Sequence, residues 1–561
     1  MPKKAGQKKP VKQKNEKFEF WLDTIARQVA EKFGKEKVIH LNCGLSIRGP
    51  QHIGRLRGEL CIPGSLQRIL SEQYGKKVVH YITLYDMDGM KPTGAEKGFP
   101  NDPAAQKKWT GVSLFNIPDP SPKGCHKNWQ EHFWADFGDY LGDFGFDVKI
   151  VKTSDFYKMP AAKELVKWVL KNREKVVKVV DRFRERKPLP ADHIPIHPIC
   201  EGCLSIMETN ATGFDLDKYT VDYECAKCGK KGTTSLENAK LNWRLEWAAL
   251  WKILHVEFEP YGKDHAMAGS SRETCGVISK ELFGYEPPMG EWNEWVSLKT
   301  GGENLGEMTA SGFVGITPKQ WLEVSEPEVL RYLYIGTRPH APITIDMDSI
   351  FAFSNDYDKS ERIYFGKCSG KEKIDEHDVQ NIKRAFELAQ VKTENIPKKG
   401  EKLPFQFDYV LAARIVQILP EKGRLEKAID FLKKDGHLRR ESTKLELERI
   451  NKRLLLAKNW VEKYAPAEYR LAEKEKPMKI SISQRDKKML NELVGVIEKE
   501  KDGEALQQKI FEIAKTNNVK PAEFFRLIYQ ALFSSRRGPR LGPYIIEVGK
   551  DGIIKKLKAV I

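Results

Sequence analysis

A chain of 561 residues, 40% of them apolar, is too long for one hydrophobic core, so three or four globular domains are expected. No apolar run reaches the roughly eighteen residues that a membrane helix needs, which excludes a transmembrane span. A formal charge of +17 favours a polyanionic partner, and nine scattered and paired cysteines suit a reducing cytoplasm over a disulfide framework.

Residues 1–17 read as a disordered basic tail with no apolar segment after the lysines, so not as a secretory signal. Phe18, Leu22, Ile25, Val29 and Phe33 fall at helical spacing and predict a helix closed by Gly34. Val38 to Leu45 predicts a buried strand, Pro63 to Tyr74 a helix ending at Gly75, and Val78 to Tyr85 a second strand. That order is a βαβ unit, hence a parallel sheet with helices on its faces. Lys91 to Lys127, rich in Pro, Gly and Asn, is expected to be mostly loop. Helices follow over Asn128 to Gly145 and Ala161 to Arg186, the second long and basic, and then a proline-rich connector over Pro188 to Pro198. Leu241 to Ile253 predicts a Trp-rich helix, Val256 to Phe258 a short strand, and Ser271 to Phe283 a helix. From about Asp358 helical patterns dominate to Phe533, and Tyr544 to Val548 reads as a small strand-like tail. Basic clusters recur at Lys171 to Lys187, Lys433 to Lys444 and Arg536 to Arg540, and favour nucleic acid.

Chemistry concentrates at five places. Gly49-Pro50-Gln51-His52-Ile53-Gly54-Arg55 lies where a strand hands over to a helix, a junction whose N–H groups face a phosphate and whose glycines let a nucleotide approach the main chain. Gly262-Lys263-Asp264-His265, with Gly269, precedes a second helix. Gly301 to Gly312, including Met308, Thr309 and Ser311, is expected to be a mobile glycine-rich lid over phosphates, with a plain surface loop as the other reading. Trp243, Trp247 and Trp251 share one helical face; they are either a core stripe or, with Glu246, a wall for a cation. Cys200-x2-Cys203 and Cys225-x2-Cys228, twenty-one residues apart, offer four thiolates on two knuckles for one closed, structural zinc.

Taken together, these motifs resemble those of the class I aminoacyl-tRNA synthetases, and within them the archaeal-type class I lysyl-tRNA synthetases. Ser46-x2-Gly49-x2-His52-Ile53-Gly54 is similar to the first ATP motif, Gly262 to His265 with Gly269 to the central nucleotide motif, and Met308-Thr309-x-Ser311 to the second ATP loop. The paired CxxC units, Trp243-Arg244-x2-Trp247, Pro327 to Arg331 and Gly538 to Gly542 also fit, over nearly the whole chain from residue 18. Arg55 departs from the His or Asn usual at its place, and Glu307 and Ala310 stand where the class pattern has lysines. Lys299, Lys263 and Arg55 are then the local cations for a pyrophosphate.

The resemblance implies an α/β fold: a Rossmann-like parallel-sheet catalytic domain with a zinc-binding insertion and a C-terminal α-helical domain. The expected bounds are 18–127 and 241–320 for the catalytic halves, 128–190 for a helical insertion and 191–240 for the zinc-binding insertion. A connecting helical region at 321–390 and an anticodon-binding domain at 391–561 complete the chain. It implies ATP with Mg²⁺, L-lysine and a lysine-accepting tRNA as partners, a structural Zn²⁺, no membrane, a monomer and a cytoplasmic location. His52, Lys263, Met308, Thr309 and Ser311 would carry catalysis. Gly49, His52, Gly54, Arg55, Gly262, Asp264, His265 and Gly269 would hold ATP, and Asp86, Asp88, Trp243, Glu246 and Trp247 the amino acid. Two other readings remain: a non-catalytic or substrate-altered tRNA-binding paralogue, and a zinc-ribbon RNA-binding protein with a relic nucleotide fold.

Overall fold

The computed structural model describes residues 19–184, 188–190, 192–267, 269–367, 374–398, 400–419, 421–434, 438, 441–470, 482–533, 540–548 and 550–561. The basic tail, Arg536-Arg537 and Gly538-Pro539 lie outside the described residues, as does part of the Lys433 to Lys444 cluster. Among the described residues no helix is long and apolar enough to cross a membrane.

α1 (Trp21–Lys32) leads into β1 (Val38–Leu45), which lies at the predicted residues. A π-helical turn, Leu56–Cys61, runs into α2 (Ile62–Tyr74), and β2 (Lys77–Leu84) completes the βαβ unit. The segment expected to be loop carries two short helices, α3 (Pro92–Gly98) and α4 (Ala105–Trp109). Both pack on buried Met90, Leu114 and Trp129, an apolar set too sparse along the chain to show a period. α5 (Trp129–Gly138) stops seven residues before the expected end at Gly145. β3 (Lys149–Lys152) was not anticipated, because its Lys-Ile-Val-Lys sequence and exposed edge give no apolar run. After α6 (Thr153–Phe156), the predicted long basic helix is two, α7 (Pro160–Lys171) and α8 (Arg173–Asp181). Asn172 breaks it, its side chain donating to the Trp168 carbonyl.

β4 (Ile196–Pro198) and β8 (Ala239–Leu241) form an antiparallel stem for the sheet β5 (Thr209–Asp215), β6 (Thr220–Cys225), β7 (Lys231–Ser235). The chain returns through α9 (Trp243–Ile253), β9 (Val256–Phe258), β10 (Tyr261–Gly262) and α10 (Ser271–Glu281). β11 (Trp292–Asn293) pairs with β10, and β12 (Val296–Thr300) pairs with both β13 (Glu303–Glu307) and, after α11 (Pro318–Leu322) and α12 (Pro327–Gly336), β14 (Ile343–Asp346).

The central sheet has the order β3-β2-β1-β9, all parallel. One face of β1 (Ile39, Leu41, Cys43 and Leu45) is fully buried and the other, with His40 and Asn42, mostly half-buried. Its carboxyl end, beside that of β2, is where an open α/β sheet builds its ligand crevice.

The remaining described elements are helical: α13 (Ile350–Tyr364), α14 (Glu376–Ala389), α15 (Tyr409–Ile418), α16 (Arg424–Lys434) and α17 (Lys444–Lys463). α18 (Gln484–Lys499), α19 (Gly503–Thr516), α20 (Pro521–Phe533), α21 (Leu541–Val548) and α22 (Lys550–Val560) follow. The tail expected as a strand is α21; its apolar run is too short to separate the two periods. No core boundary falls at residue 390. Phe407, Tyr409, Leu454 and Trp460 belong to the same core as Leu41 and Leu66, and a separate core begins at Met489.

Buried arginines tie these layers together. Arg331 on α12 donates to the carbonyls of Ala389, Phe144 and Leu388 at 2.9, 2.9 and 2.7 Å. Its guanidinium lies over the Phe146 ring at 5.1 Å. Truncation to alanine strands three buried carbonyls, so Arg331→Ala should lower unfolding stability by about 3 kcal/mol or more. Arg331→Lys should recover little, because one ammonium does not reproduce the planar fork. Denaturant titration checks this, and a loss under about 1 kcal/mol would contradict it.

Candidate active site

The first nucleotide motif occupies the carboxyl end of β1. The backbone forces it against the second loop: a Cβ at Gly49 would lie 2.2 Å from the Ala310 carbonyl oxygen, so only glycine fits. The Ile53 N–H donates to the Ile316 carbonyl at 2.8 Å, and the Tyr334 hydroxyl donates to the Ile53 carbonyl at 3.1 Å. The π turn behind the motif is held by Arg57, which donates to the carbonyls of Glu294, Arg338 and Ala341. A Cβ at Gly58 would fall 2.1 Å from the Asn293 side-chain oxygen, so the β11 side chain packs on the turn in the space a glycine leaves.

His52 is buried, and neither ring nitrogen has a hydrogen-bond partner among the described residues. Burial, then the neighbouring Arg55 guanidinium, pushes its pKa down to about 3. It faces a cavity of about 240 Å³ lined also by Gln51, His132, Phe313, Thr317 and Gln320. Two orphaned nitrogens beside such a space are an unmet requirement for a polar ligand.

The stretch expected as a single lid has two parts. Gly301-Gly302 is the turn of the β12–β13 hairpin, its N–H groups donating to Asp348 at 2.8 and 2.7 Å. Met308 to Val314 is a separate tight loop, closed by Thr309 and Val314 bonding each other's backbone at 2.7 and 3.1 Å. Met308 is buried, Thr309 exposed and Ser311 half-buried. Phe313 holds φ +54°, which a non-glycine residue adopts at a cost, with its ring 5.5 Å from that of Phe133 and 6.4 Å from that of Trp129.

The central motif lies beside the first. Gly262 ends β10, and Lys263–His265 forms one 3₁₀ turn. His265 is held below its ordinary pKa by burial, with Asp264 opposing and Arg55 adding to the depression, so the two motifs sense each other's charge. Lys263 pairs with Glu294 at 2.7 Å and Arg55 with Glu59 at 3.0 Å. The Gly269 N–H is taken by Glu273 at 2.7 Å.

The expected amino-acid residues divide. The rings of Trp243 and Trp247 stack at 5.0 Å, and His265 lies 5.9 and 5.3 Å from them. Tyr85 meets Trp243 edge-on at 5.8 Å. Together they form an aromatic wall above the β1–β2 ends. The carboxylates, however, already have partners. Asp86 is buried and accepts from the Thr153 hydroxyl and the Ser154 N–H at 2.8 Å each, and from the Ser154 hydroxyl. It caps the first turn of α6. Asp88 pairs with Arg48 at 2.8 Å and with Lys240 at 2.6 Å. Glu246, fully buried, pairs with the same Lys240 at 3.2 Å and accepts from Tyr157 at 2.8 Å. Burial pushes its pKa up to about 7 against the pull of Lys240. Sequence reading missed Lys240, which carries no motif, and Glu259, which takes the indole N–H groups of Trp247 and Trp251 at 3.0 and 2.6 Å.

Two donor sets fit a tetrahedral metal. The Sγ atoms of Cys200, Cys203, Cys225 and Cys228 all lie within 4.8 Å of one another, with pairs at 3.5 and 3.6 Å. The edge of a tetrahedron with Zn–S bonds of about 2.3 Å is about 3.8 Å, so these sulfurs need only small shifts. Asp119, Cys125, His126 and His132 form a second set within the same limit, next to the His52 cavity. It was missed because its ligands stand at uneven spacing with no CxxC pair. The signal available was four ligand residues of three types within fourteen residues of a loop-rich stretch.

Comparison with known proteins agrees with this architecture. A family described as "tRNA synthetases class I (K)" matches residues 19–392. The chain is 34% identical to a lysine–tRNA ligase of Aeropyrum pernix, covering 96% of this chain and 97% of that one. It is 29% identical to the lysine–tRNA ligase of Methanocaldococcus jannaschii over 96% and 99% of the two chains. It is 31% identical to that of Pyrococcus horikoshii, also over 96% and 99%. With a parallel sheet whose ends carry the two nucleotide motifs, and with a match over most of its length, the chain belongs to the class I (K) family of tRNA synthetases.

Proposed function

We propose that this protein is an enzyme that ligates L-lysine to the 3′ end of its tRNA through lysyl-adenylate, using ATP. The observation that carries the reading is the approach of the second loop to the first motif at buried His52, whose ring nitrogens lack partners among the described residues, with the central motif beside Arg55. The lysine carboxylate attacks the α-phosphate in line, the α–β phosphoanhydride bond breaks, and pyrophosphate leaves. The terminal 2′-hydroxyl of the tRNA then attacks the carbonyl carbon of the adenylate, and AMP leaves with the bonding pair. No covalent enzyme intermediate is needed; positioning and charge stabilisation carry the chemistry.

Neutral His52 donates to a phosphate oxygen, and Gly49 and Gly54 let the nucleotide lie against the main chain. Asp264 and His265 meet the ribose and adenylate, and Met308, Thr309 and Ser311 border the phosphates from the second loop. Mg²⁺ accompanying ATP would offset phosphate charge. The amino acid lies on the Tyr85, Trp243 and Trp247 wall, where its ammonium is attracted to ring faces. Asp88 and Glu246 act from behind that wall through Lys240. The helical residues after 390 carry the tRNA anticodon contacts, in keeping with the basic charge of the chain.

Lysine-dependent ATP–pyrophosphate exchange tests the reading. Lysine should drive exchange at least about a hundredfold better than arginine, glutamine or glutamate, since a site for one polar group rejects analogues that leave buried groups unpaired. No exchange with any amino acid would favour a non-catalytic paralogue.

His52→Ala should lower adenylate formation about a hundredfold or more with the fold intact, the usual loss for one transition-state donor. Stability gives an independent check. With its folded pKa lowered from 6.5 to about 3, His52 contributes stability that is fully present above pH 6.5 and lost as pH falls through that window. The unfolding free energy of His52→Asn should therefore fall less steeply between pH 6.5 and 3 than that of the parent.

Elemental analysis of freshly purified protein should find two equivalents of zinc, one per donor set. Cys203→Ser should remove one equivalent and His126→Ala the other. A parent with a single equivalent, retained by His126→Ala, would restrict metal to the cysteine knuckles.

A further inference from the structure

Every cation that the sequence offers for a pyrophosphate leaving group already has a carboxylate. Lys299 pairs with Asp346 at 2.9 Å, Lys263 with Glu294 at 2.7 Å and Arg55 with Glu59 at 3.0 Å. Arg48 in the first loop pairs with Asp88 at 2.8 Å. The second loop itself offers only Glu307, Ala310 and hydroxyls.

Two lysines at α3 differ. Neither Lys91 nor Lys97 makes an ion pair with any described residue. Lys97 Nζ donates to the Gly312 carbonyl oxygen at 2.5 Å, so its charge sits on the second loop. The helix that carries it also touches the first loop: a Cβ at Gly94 would lie 2.9 Å from the Arg48 carbonyl oxygen. Lys91, at the start of the same helix, is held below its ordinary pKa by burial and then by the like charge of Arg48, with the Asp88 carboxylate opposing. One seven-residue helix thus bridges the two phosphate-facing loops and brings to them the Lys97 ammonium, which pairs with no carboxylate among the described residues, while Lys91 at its start shares the field of Asp88 with Arg48 and Lys240. Positive charge gathered without a counter-ion is what a polyphosphate would satisfy.

We propose that Lys97, seated on the second ATP loop from α3, is a catalytic cation that holds the β- and γ-phosphates and the departing pyrophosphate, with Lys91 reinforcing it. This rests on the reading of the site as an ATP-dependent adenylation centre. Charge develops on the bridging oxygen as the α–β bond breaks, and a fixed ammonium there stabilises the transition state more than the ground state.

The test compares Lys97→Gln, Lys97→Arg and the parent, each full length. Glutamine can still donate to the Gly312 carbonyl but carries no charge, so it separates a loop-pinning role from a phosphate role. Exchange kcat should fall about a hundredfold in Lys97→Gln and stay within about tenfold in Lys97→Arg. The KM for lysine should hold within about twofold, because no ground-state contact to the amino acid is lost. Calorimetric titration with inorganic pyrophosphate should show affinity reduced about tenfold or more in Lys97→Gln, with the thermal midpoint unchanged. Lys97→Gln exchanging within about threefold of the parent and binding pyrophosphate equally well would overturn the proposal while leaving the lysine ligase reading intact. A parent that activates no amino acid would overturn that reading, and the pyrophosphate titration would still decide whether Lys97 binds phosphate. A parent that binds no pyrophosphate overturns both.

Discussion

One buried ammonium between a buried and a half-buried carboxylate ties together three stretches of chain. Lys240, on β8, the return strand of the stem that bears the cysteine knuckles, bridges Asp88 after β2 and Glu246 on α9. Burial alone would push the Asp88 carboxyl up, but Lys240 and Arg48 outweigh it and hold it below its ordinary range. Tyr157 closes the network, donating to Glu246 and accepting from the Leu241 N–H, both at 2.8 Å. Removing Lys240 leaves the buried Glu246 carboxylate without its cation, a loss of about 3–5 kcal/mol. The consequence is geometric. Trp243 follows Lys240 by three residues, so the knuckles and the stem β4–β8 set where the aromatic wall stands. A zinc remote from the reacting atoms would in this way bear on amino-acid binding.

The nucleotide side depends on a different constraint, the exclusion of side chains. Gly49 and Gly58 are positions where a single methyl would collide with Ala310 and Asn293. Those two approaches close the first motif against the second loop on one side and against β11 on the other. The result is a small, walled space in which His52 is kept neutral by desolvation. A neutral imidazole donates one hydrogen bond without a charge that would hold product phosphates tightly, which suits a site that must release pyrophosphate.

Much of this frame was legible in the sequence. β1, α9 and β9 lie at or within two residues of the predicted positions because each has a strong period or a continuous apolar run between clear breakers. The nucleotide motifs and cysteine knuckles were legible because their chemistry needs fixed residue types at fixed spacing. What escaped has a common cause. β3 pairs with β2 about seventy residues earlier and β12 with β14 over forty residues later, and β3 and β13 are exposed enough that no local apolar pattern marks them. Lys240 reads as an ordinary surface lysine; only the fold places two carboxylates beside it. Asp86 shows the converse: it stands two residues from Asp88 at the sheet edge, yet the first turn of α6 takes its carboxylate. Sequence shows that an acid is at the right edge, and long-range packing decides which acid faces the crevice.

The stretch between β2 and β3 shows why a loop poor in lysine need not be a weak one. Asp119, Cys125, His126 and His132 would draw the start of α5 against the preceding loop. α5 carries Trp129 and Phe133, whose rings hold Phe313 in the second loop. Phe313 in turn keeps that loop in a left-handed backbone conformation it would not adopt free in water. A lid bearing its own cations must order long side chains each time it closes, at a cost in conformational entropy. Here the loop is anchored by aromatic contacts, and the charge comes from α3, fixed by Trp129 packing against Phe99 and Gly98. Such a site loses less entropy on binding ATP and gains less from closure, so its transition-state stabilisation comes mainly from groups already in place.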